Sequence, residues 1–171
     1  VRQLEPRPRF EKYIAVPRYV AAGVSTAASW HGMDLHVWNG DQSVDGHFLL
    51  AVATNIRKYA GGIAVLSPDA YLDDGEMDLW LMSGENFADA FRHFFDVLGG
   101  RHLTSDEAVR LPFSRVRIES DTDFSVEMDG DPAMSGSKIT LQVEKQALNV
   151  LLPPSAYRLL KNNSHGSNSS P

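Results

Sequence analysis

Short apolar runs separated by turn residues occupy most of the chain. Between residues 33 and 38, Met33, Leu35 and Val37 alternate with polar or aromatic neighbours, whereas residues 47–54 are nearly all apolar. Strict alternation is typical of a half-buried β-strand, and a short continuous apolar run is typical of a strand buried on both faces. The same reasoning predicts a turn over 39–46 and further strands over 61–66, 76–82, 113–120, 124–130, 138–144 and 147–153.

Two segments show helical spacing instead. After Pro17, which suits the first turn of a helix, apolar residues recur at helical intervals and predict a helix over 18–30 that ends by Gly32. A second helix is predicted over 86–98, closed by Gly99 and Gly100. Its apolar stripe contains Phe87, Ala90, Phe91, Phe94, Phe95 and Leu98. This stripe has two interpretations, a helix face packed on the core or a surface that faces lipid.

These elements predict a mainly β (α+β) fold: an antiparallel β-sandwich or open barrel with one or two peripheral helices. The length of 171 residues and an apolar content of 43% suit one domain with a substantial core. We assign the domain to residues 1–154, although residues 1–43 support this assignment less strongly than residues 44–154. Residues 155–171 are polar and of low complexity, which predicts a disordered tail.

Charge and composition exclude several classes of protein. The net charge of −6 argues against nucleic acid as a partner. Residues 1–18 are a basic exception, which suits an anionic lipid surface, an acidic partner or simply a solvated terminus. The chain has no cysteine, so disulfides and thiolate chemistry are excluded, and a reducing compartment is expected.

An acidic stretch precedes the strand predicted over 76–82. It holds Asp69, Asp73, Asp74, Glu76 and Asp78. An EF-hand loop that began at Asp69 would need Gly at residue 74 and Glu at residue 80, where the chain has Asp and Trp. Two interpretations remain, a solvated turn or a smaller cation site in which Gly75 turns the chain so that several oxygens converge.

A second acidic cluster, "VEMDGDP", surrounds Gly130 and carries Glu127, Asp129 and Asp131. "DGDP" is a good turn sequence, and a carboxylate at the end of a strand can also act as a base. The chain contains neither a GxGxxG nor a GxxxxGK[ST] motif, so neither of these phosphate-binding loops is encoded.

Four stretches in the same order resemble the C-terminal domain of bacterial diacylglycerol/lipid kinases of the YegS and DgkB type, relatives of sphingosine and NAD kinases. They are "HFLLAVATNIRKYAGG", "SPDAYLDDGEMDLWLM", "VRIESDTDFSVEMDGDP" and "ALNVLLPP". The resemblance is good over residues 44–154, looser before them and absent from the tail.

The resemblance implies the second domain of a two-domain, ATP-dependent lipid kinase. In such enzymes the N-terminal nucleotide-binding domain carries a GGDGT-type motif, which this chain lacks. The chain is therefore expected to be the substrate-binding, base-carrying domain alone, and to be inactive without its N-terminal domain. The resemblance also implies a cytoplasmic protein in peripheral contact with a membrane, and it is compatible with a homodimer.

The family's functional positions can be carried over residue by residue. Its structural Mg²⁺ site matches the carboxylate of Asp74 and the backbone carbonyls of Tyr71 and Glu76. Its proton acceptor, a Glu in "DGEP", matches Asp131, which is one methylene shorter. The alternative is a catalytically silent β-sandwich that serves as a binding or regulatory module, in which Asp131 is only a turn residue.

Overall fold

The computed structural model describes residues 31–59, 64–129 and 131–161, and within them β-strands dominate. The strands are β1 (Met33–Asn39), β2 (Gln42–Thr54), β3 (Lys58–Tyr59), β4 (Ala64–Val65), β5 (Met77–Ser83), β6 (Ala108–Phe113), β7 (Arg115–Met128) and β8 (Asp131–Gln142). Helix α1 spans Phe87–Leu98, and 3₁₀ helices span Arg101–Thr104 and Pro154–Leu159. The predicted helix over 18–30 lies outside the described residues.

Six strands form one antiparallel sheet in the order β6-β5-β2-β1-β7-β8, and β3 pairs with β4 in a separate ribbon. Strands β6 and β7 stand four places apart in this order, yet only Ser114 separates them in the chain. The side chain of Asn39, at the end of β1, also donates to the carbonyl of Pro112 in β6 at 2.7 Å. The sheet therefore curls until its two halves face each other, which confirms the predicted mainly β, sandwich-like fold.

The inner face of the curled sheet holds the main core. Alternate residues of β1, β5 and β7 point inward, because successive side chains of a strand lie on opposite faces. The buried members of this core are Leu35, Val37, Phe48, Leu79, Leu81, Phe113, Val116 and Ile118. The alternating residues of β1 and β7 that point the other way are mostly exposed.

Strand β5 is buried on its outer face as well. Trp80 and Met82 pack there with Leu66, and Val97 of α1 lies against them. Asn86 caps the start of α1, since its side-chain oxygen accepts a hydrogen bond from the backbone N–H of Ala88 at 2.9 Å. The outer layer of α1 and the following 3₁₀ helix thus shields the strand that leads out of the acidic stretch.

Several boundaries differ from the predictions. The turn predicted over 39–46 has only two residues, Gly40 and Asp41, because Asn39 pairs directly with Gln42 and β2 begins there. The two strands predicted over 113–120 and 124–130 are replaced by one long strand, β7, which covers 115–120 and 124–128 of them, and β6 was not predicted.

The predicted closing strand over 147–153 is wrong. No strand is found between residues 143 and 153, and Leu148, Val150 and Leu151 are highly exposed. Apolar alternation forms a strand only beside a partner strand, and none of the described strands pairs with this segment. The tail is also ordered at its start, since Pro154–Leu159 is a 3₁₀ helix; residues 162–171 lie outside the described part of the chain.

The core-facing interpretation of the α1 stripe holds for only part of it, because Phe87, Ala90 and Leu98 are half-buried and the other three residues are not. Phe91, Phe94 and Phe95 are 45–54% exposed, whereas His93, on the opposite side of the helix, is buried. The imidazole of His93 lies 2.6 Å from the carbonyl oxygen of Ser83 in β5. Among the described residues, no helix is long and apolar enough to cross a membrane.

Candidate functional site

The acidic loop between β4 and β5 is anchored at its start by Trp80. The indole N–H of Trp80 donates to the hydroxyl of Ser67 at 2.9 Å, and both residues are buried. The ring of His102 packs edge-on against Trp80 and its Nε2 lies 3.0 Å from the carbonyl of Leu66. The chain therefore enters the acidic loop from a fixed point on the outer face of the sheet.

A single arginine, Arg110, forms ion pairs with two of the five carboxylates. Arg110 of β6 contacts Asp78 at 2.9 Å and Asp69 at 3.5 Å, and Asp78 is buried. The hydrogen bond to the Asp78 carboxylate raises the pKa of the Arg110 guanidinium, and the negative charge of Asp69 raises it further. Arg57 donates to the carbonyl of Ala70 at 2.7 Å. Asp69 and Asp78 are thus ion-pair partners that hold the loop, rather than a cluster of metal ligands.

The centre of the loop is a tight turn around Gly75. Asp74 accepts a hydrogen bond from the backbone N–H of Glu76 at 3.1 Å, the local side-chain-to-backbone bond typical of Asx turns. Gly75 has a φ of +79°, and a Cβ there would lie 3.1 Å from the side chain of Lys145. A larger residue at 75 would be strained in backbone and in packing.

The C-terminal 3₁₀ helix binds the same loop from the other side. The N–H of Leu72 donates to the carbonyl of Leu159 at 2.9 Å, and the N–H of Lys161 donates to Asp73 at 2.6 Å. The ammonium group of Lys161 lies 3.9 Å from Oδ2 of Asp74, whose side chain is 10% exposed. Sequence reasoning missed Lys161, because no local pattern connects residue 161 with residue 74.

The predicted magnesium ligands can be compared with this geometry. Asp74, Tyr71 and Glu76 lie in the same tight loop, and a carboxylate with two backbone carbonyls is the all-oxygen donor set that Mg²⁺ prefers. The ion pair of Asp74 with Lys161 marks the position as one that already attracts a cation. No group of three or more His, Asp or Glu side chains suited to a metal occurs in the described residues. The predicted set has one carboxylate, so the magnesium assignment stays a prediction.

The second acidic cluster lies at the tip of a hairpin arm. Met128 at the end of β7 pairs with Asp131 at the start of β8, so the chain reverses its direction between these two residues. Asp129 has a φ of +53°, which an Asp in a tight hairpin turn tolerates. Asp131 is exposed, and its side chain makes no hydrogen bond or ion pair with the described residues. Its carboxylate is free to meet a ligand.

The structure does not bring Asp131 and Asp74 together. Asp131 begins β8, whereas Lys145, which touches the acidic loop, follows the end of β8 at Gln142. At about 3.3 Å per residue, β8 separates the two turns by roughly 35 Å along the strand. The two predicted functions, metal binding and proton transfer, therefore belong to opposite ends of the sheet.

The exposed face of β1 and β2 carries a further polar set. His36 lies opposite Asp45, and His47 lies opposite Asp34, with Nδ1–Oδ1 distances of 2.9 and 2.8 Å. Farther along the same face, the guanidinium of Arg117 stacks on Trp38 at 4.2 Å. The hydrogen bond that Asp45 accepts from the imidazole of His36 raises the pKa of His36, and the one that Asp34 accepts from His47 raises the pKa of His47.

Similar solved structures agree with this fold. Two crystal structures from Bacillus anthracis str. Sterne, each described as a candidate diacylglycerol kinase, match with TM-scores of 0.54 and 0.51. They are 18% and 19% identical to the chain, cover 83% and 72% of it, and are themselves covered over 48% and 42% of their lengths. At this identity the match establishes the shared fold alone.

Curated relatives and a family model identify the chain more closely. Proteins named "Probable lipid kinase YegS-like" from Yersinia pestis and Yersinia pseudotuberculosis are 28% identical over 124 residues, which is 72% of this chain. The match spans only 38% of those relatives. The model of the YegS C-terminal NAD kinase beta sandwich-like domain matches residues 8–152. The chain belongs to the family of YegS-type C-terminal domains, as the four sequence stretches predicted.

Proposed function

We propose that this chain is the C-terminal part of an ATP-dependent lipid kinase and that Asp131 is its proton acceptor. The observation that carries the proposal is the position of Asp131, an exposed carboxylate at the start of β8, where the chain reverses its direction after β7. It makes no ion pair with any described residue that would neutralise it. Family membership supports the reaction class, since relatives of this family are named as lipid kinases.

In the proposed reaction the carboxylate of Asp131 accepts the proton of a lipid hydroxyl. The hydroxyl oxygen forms a bond to the γ-phosphorus of ATP, the bond between that phosphorus and the bridging oxygen breaks, and ADP leaves. An Asp performs this task in protein kinases, where catalysis depends mainly on positioning and charge neutralisation. ATP would be bound by an N-terminal nucleotide-binding domain outside this chain, and Asp131 would have to lie beside its γ-phosphate.

The acidic loop has a structural part in this proposal. Asp74, with the carbonyls of Tyr71 and Glu76, would hold Mg²⁺, which supplies positive charge that fixes the loop. The loop is already clamped by Trp80 and the C-terminal 3₁₀ helix, so the ion would complete a site whose backbone is in place. The protein is expected to act in the cytoplasm, in peripheral contact with the membrane that holds its substrate.

The test compares two neighbouring carboxylates in the full-length protein. Asp131→Asn keeps the shape but removes the base, so kcat should fall by about 10²–10⁴-fold while the melting temperature stays constant. Asp129→Asn changes the adjacent turn residue equally and should leave kcat unchanged. Asp131→Glu restores the residue usual in the family and should retain or raise kcat. A fully active Asp131→Asn variant would refute Asp131 as the proton acceptor, whereas a full-length protein with no kinase activity would favour the silent binding module.

The substrate class is tested in the same assay. Diacylglycerol, a sphingoid base and phosphatidylglycerol all present a hydroxyl that can attack ATP, and the described residues do not distinguish them. Each is offered in mixed micelles with ATP, and the phosphorylated lipid is measured. Turnover of at least one of them that is lost with Asp131→Asn supports the lipid kinase, whereas turnover of none argues against it.

A further inference from the structure

An open cleft of about 490 Å³ lies on the outer face of the sheet, where β1, β7 and β8 run side by side. Its lining includes Trp38 of β1, Arg115 and Arg117 of β7, Thr140 of β8, and Ser114 directly before β7. The volume falls within the range of roughly 300–1,000 Å³ that is usual for small-molecule sites. We call this site the arginine cleft.

The pairing of the strands brings these side chains together. Trp38 lies opposite Arg117, and Arg117 lies opposite Thr140, so the three side chains form one row across the sheet. Arg115 precedes Arg117 by two positions in β7, and its side chain is therefore on the same face. Two guanidinium groups thus share one cleft.

Two neighbours restrain the side chain of Arg117. Its guanidinium lies 4.2 Å from the centroid of the Trp38 ring, a cation–π contact with the indole. Its Nε lies 3.4 Å from a carboxylate oxygen of Glu119, and the same oxygen pairs with Lys138. Because Nε faces Glu119, the two terminal nitrogens of Arg117 are left for a ligand.

The remaining lining is rich in donors and poor in negative charge. Arg115 is exposed and forms no ion pair with any described residue. The hydroxyl groups of Ser114 and Thr140 and the amide of Asn39 add neutral donors, and none of the described residues that line the cleft is Asp or Glu. The chain as a whole has a net charge of −6. The cleft is therefore a local concentration of positive charge on an acidic protein, which suits an anionic ligand.

We propose that the arginine cleft binds a terminal phosphate group. Arg115 and Arg117 hold the phosphate oxygens, and the hydroxyls of Ser114 and Thr140 add further hydrogen bonds. Such a group carries a charge of about −1.5 to −2 at pH 7, which two guanidinium groups balance, whereas a carboxylate would leave one of them without a counter-charge. The planar guanidinium also matches two phosphate oxygens at once.

This site is separate from the proposed phosphoryl transfer. Asp131 and Thr140 lie nine positions apart in β8, and at about 3.3 Å per residue this is roughly 30 Å along the strand. A terminal phosphate group is offered both by soluble phosphate compounds and by the headgroup of phosphatidic acid. The chemistry of the cleft is the same for both sources.

Isothermal titration of the 171-residue chain with inorganic phosphate at low salt tests the site. Arg115→Met should weaken phosphate binding roughly ten-fold, because charge-assisted hydrogen bonds are lost. Arg115→Lys should restore only part of the affinity, because an ammonium group lacks the fork of donors. Arg158→Met is the matched control, since Arg158 is also exposed but lies in the C-terminal 3₁₀ helix. Absence of phosphate binding, or equal weakening by Arg115→Met and Arg158→Met, would overturn the proposal.

A second pair of variants leaves the net charge unchanged. Thr140→Val keeps the shape of the side chain but removes its hydroxyl, so phosphate binding should weaken by roughly three-fold. Thr122→Val makes the same change at an exposed position of β7 outside the cleft and should have no effect. Equal affinities of these two variants for phosphate would contradict the placement of the ligand beside Thr140.

Vesicles distinguish the two sources of the phosphate group. If the source is a lipid, the chain should sediment with phosphatidylcholine vesicles that contain phosphatidic acid, and not with pure phosphatidylcholine. Arg115→Met and added inorganic phosphate should both reduce this sedimentation. Binding of inorganic phosphate without sedimentation would identify a soluble ligand. Sedimentation that neither Arg115→Met nor inorganic phosphate reduces, with no phosphate binding in the titration, would place lipid contact elsewhere and overturn the proposal.

Discussion

The ammonium group of Lys161 lies 3.9 Å from Oδ2 of Asp74, although 87 positions of sequence separate the two residues. The backbone N–H of Lys161 bonds to the neighbouring Asp73 in the same loop. The C-terminal 3₁₀ helix thereby brings a cation to the carboxylate that the family resemblance selects for Mg²⁺. Lys161 is in a position to compete with a divalent ion for Asp74.

Removal of this charge should strengthen magnesium binding. With Lys161→Met the backbone bond to Asp73 remains, but the competing ammonium is lost, so Mg²⁺ affinity should rise roughly 3- to 10-fold at low salt. Isothermal titration with MgCl₂ measures the change. Arg158→Met, in the 3₁₀ helix that precedes Lys161, is the control, and Asp74→Asn should abolish the binding. Equal Mg²⁺ affinities of the parent chain and Lys161→Met would contradict the competition.

The ion pair between Arg110 and Asp78 should be worth more than exposed pairs of the same type. Arg110→Met leaves the buried Asp78 carboxylate without its partner and should lower the free energy of unfolding by about 2–3 kcal/mol. The expected loss is smaller than for a fully buried ion pair, because Arg110 is partly exposed. Arg101→Met removes a more exposed pair with Asp96 and should cost less than about 1 kcal/mol. Urea denaturation of both variants gives the comparison. This prediction would be refuted if the free energy of unfolding fell no more in Arg110→Met than in Arg101→Met.

The paired histidines of β1 and β2 should make stability depend on pH. Hydrogen bonds that Asp45 and Asp34 accept from His36 and His47 raise the pKa values of these two histidines above 6.5 in the folded state. Their contribution is therefore fully present below the unfolded pKa and is lost as the pH rises through the folded pKa values. Between about pH 6 and about pH 8 the melting temperature should fall.

Two variants separate this effect from the general titration of the protein. The double variant Asp34→Asn/Asp45→Asn should flatten the pH dependence, whereas Asp41→Asn, in the turn between the same strands, should leave it as in the parent chain. Thermal unfolding followed by circular dichroism across this pH range measures all three proteins. Identical slopes in the parent chain and the double variant would exclude the histidine pairs as the cause.

The chain on its own should not be a kinase. It contains neither a GxGxxG nor a GxxxxGK[ST] phosphate-binding loop, so it should neither bind ATP tightly nor phosphorylate a lipid. Titration with ATP and a radiolabelled phosphate-transfer assay on micelles test both statements, with the full-length protein as positive control. Measurable turnover by the 171-residue chain would overturn the proposed division between the two domains.

The sequence by itself determined the local elements and the family. Alternation at Met33, Leu35 and Val37 predicted β1, and the stripe from Phe87 to Leu98 predicted α1, because both patterns depend only on neighbours in the chain. The turn at "DGDP" was also predicted from the sequence, because tight hairpin turns favour Asp followed by Gly.

Only the tertiary structure decided what these elements face. Residues 147–153 alternate as a strand does but have no strand beside them, and α1 buries His93 rather than its phenylalanines. The curl of the sheet brings Asn39 to Pro112, and the C-terminal 3₁₀ helix brings Lys161 to Asp74. Such contacts join residues more than 70 positions apart, so periodicity and turn preference, which act over a few residues, carry no information about them.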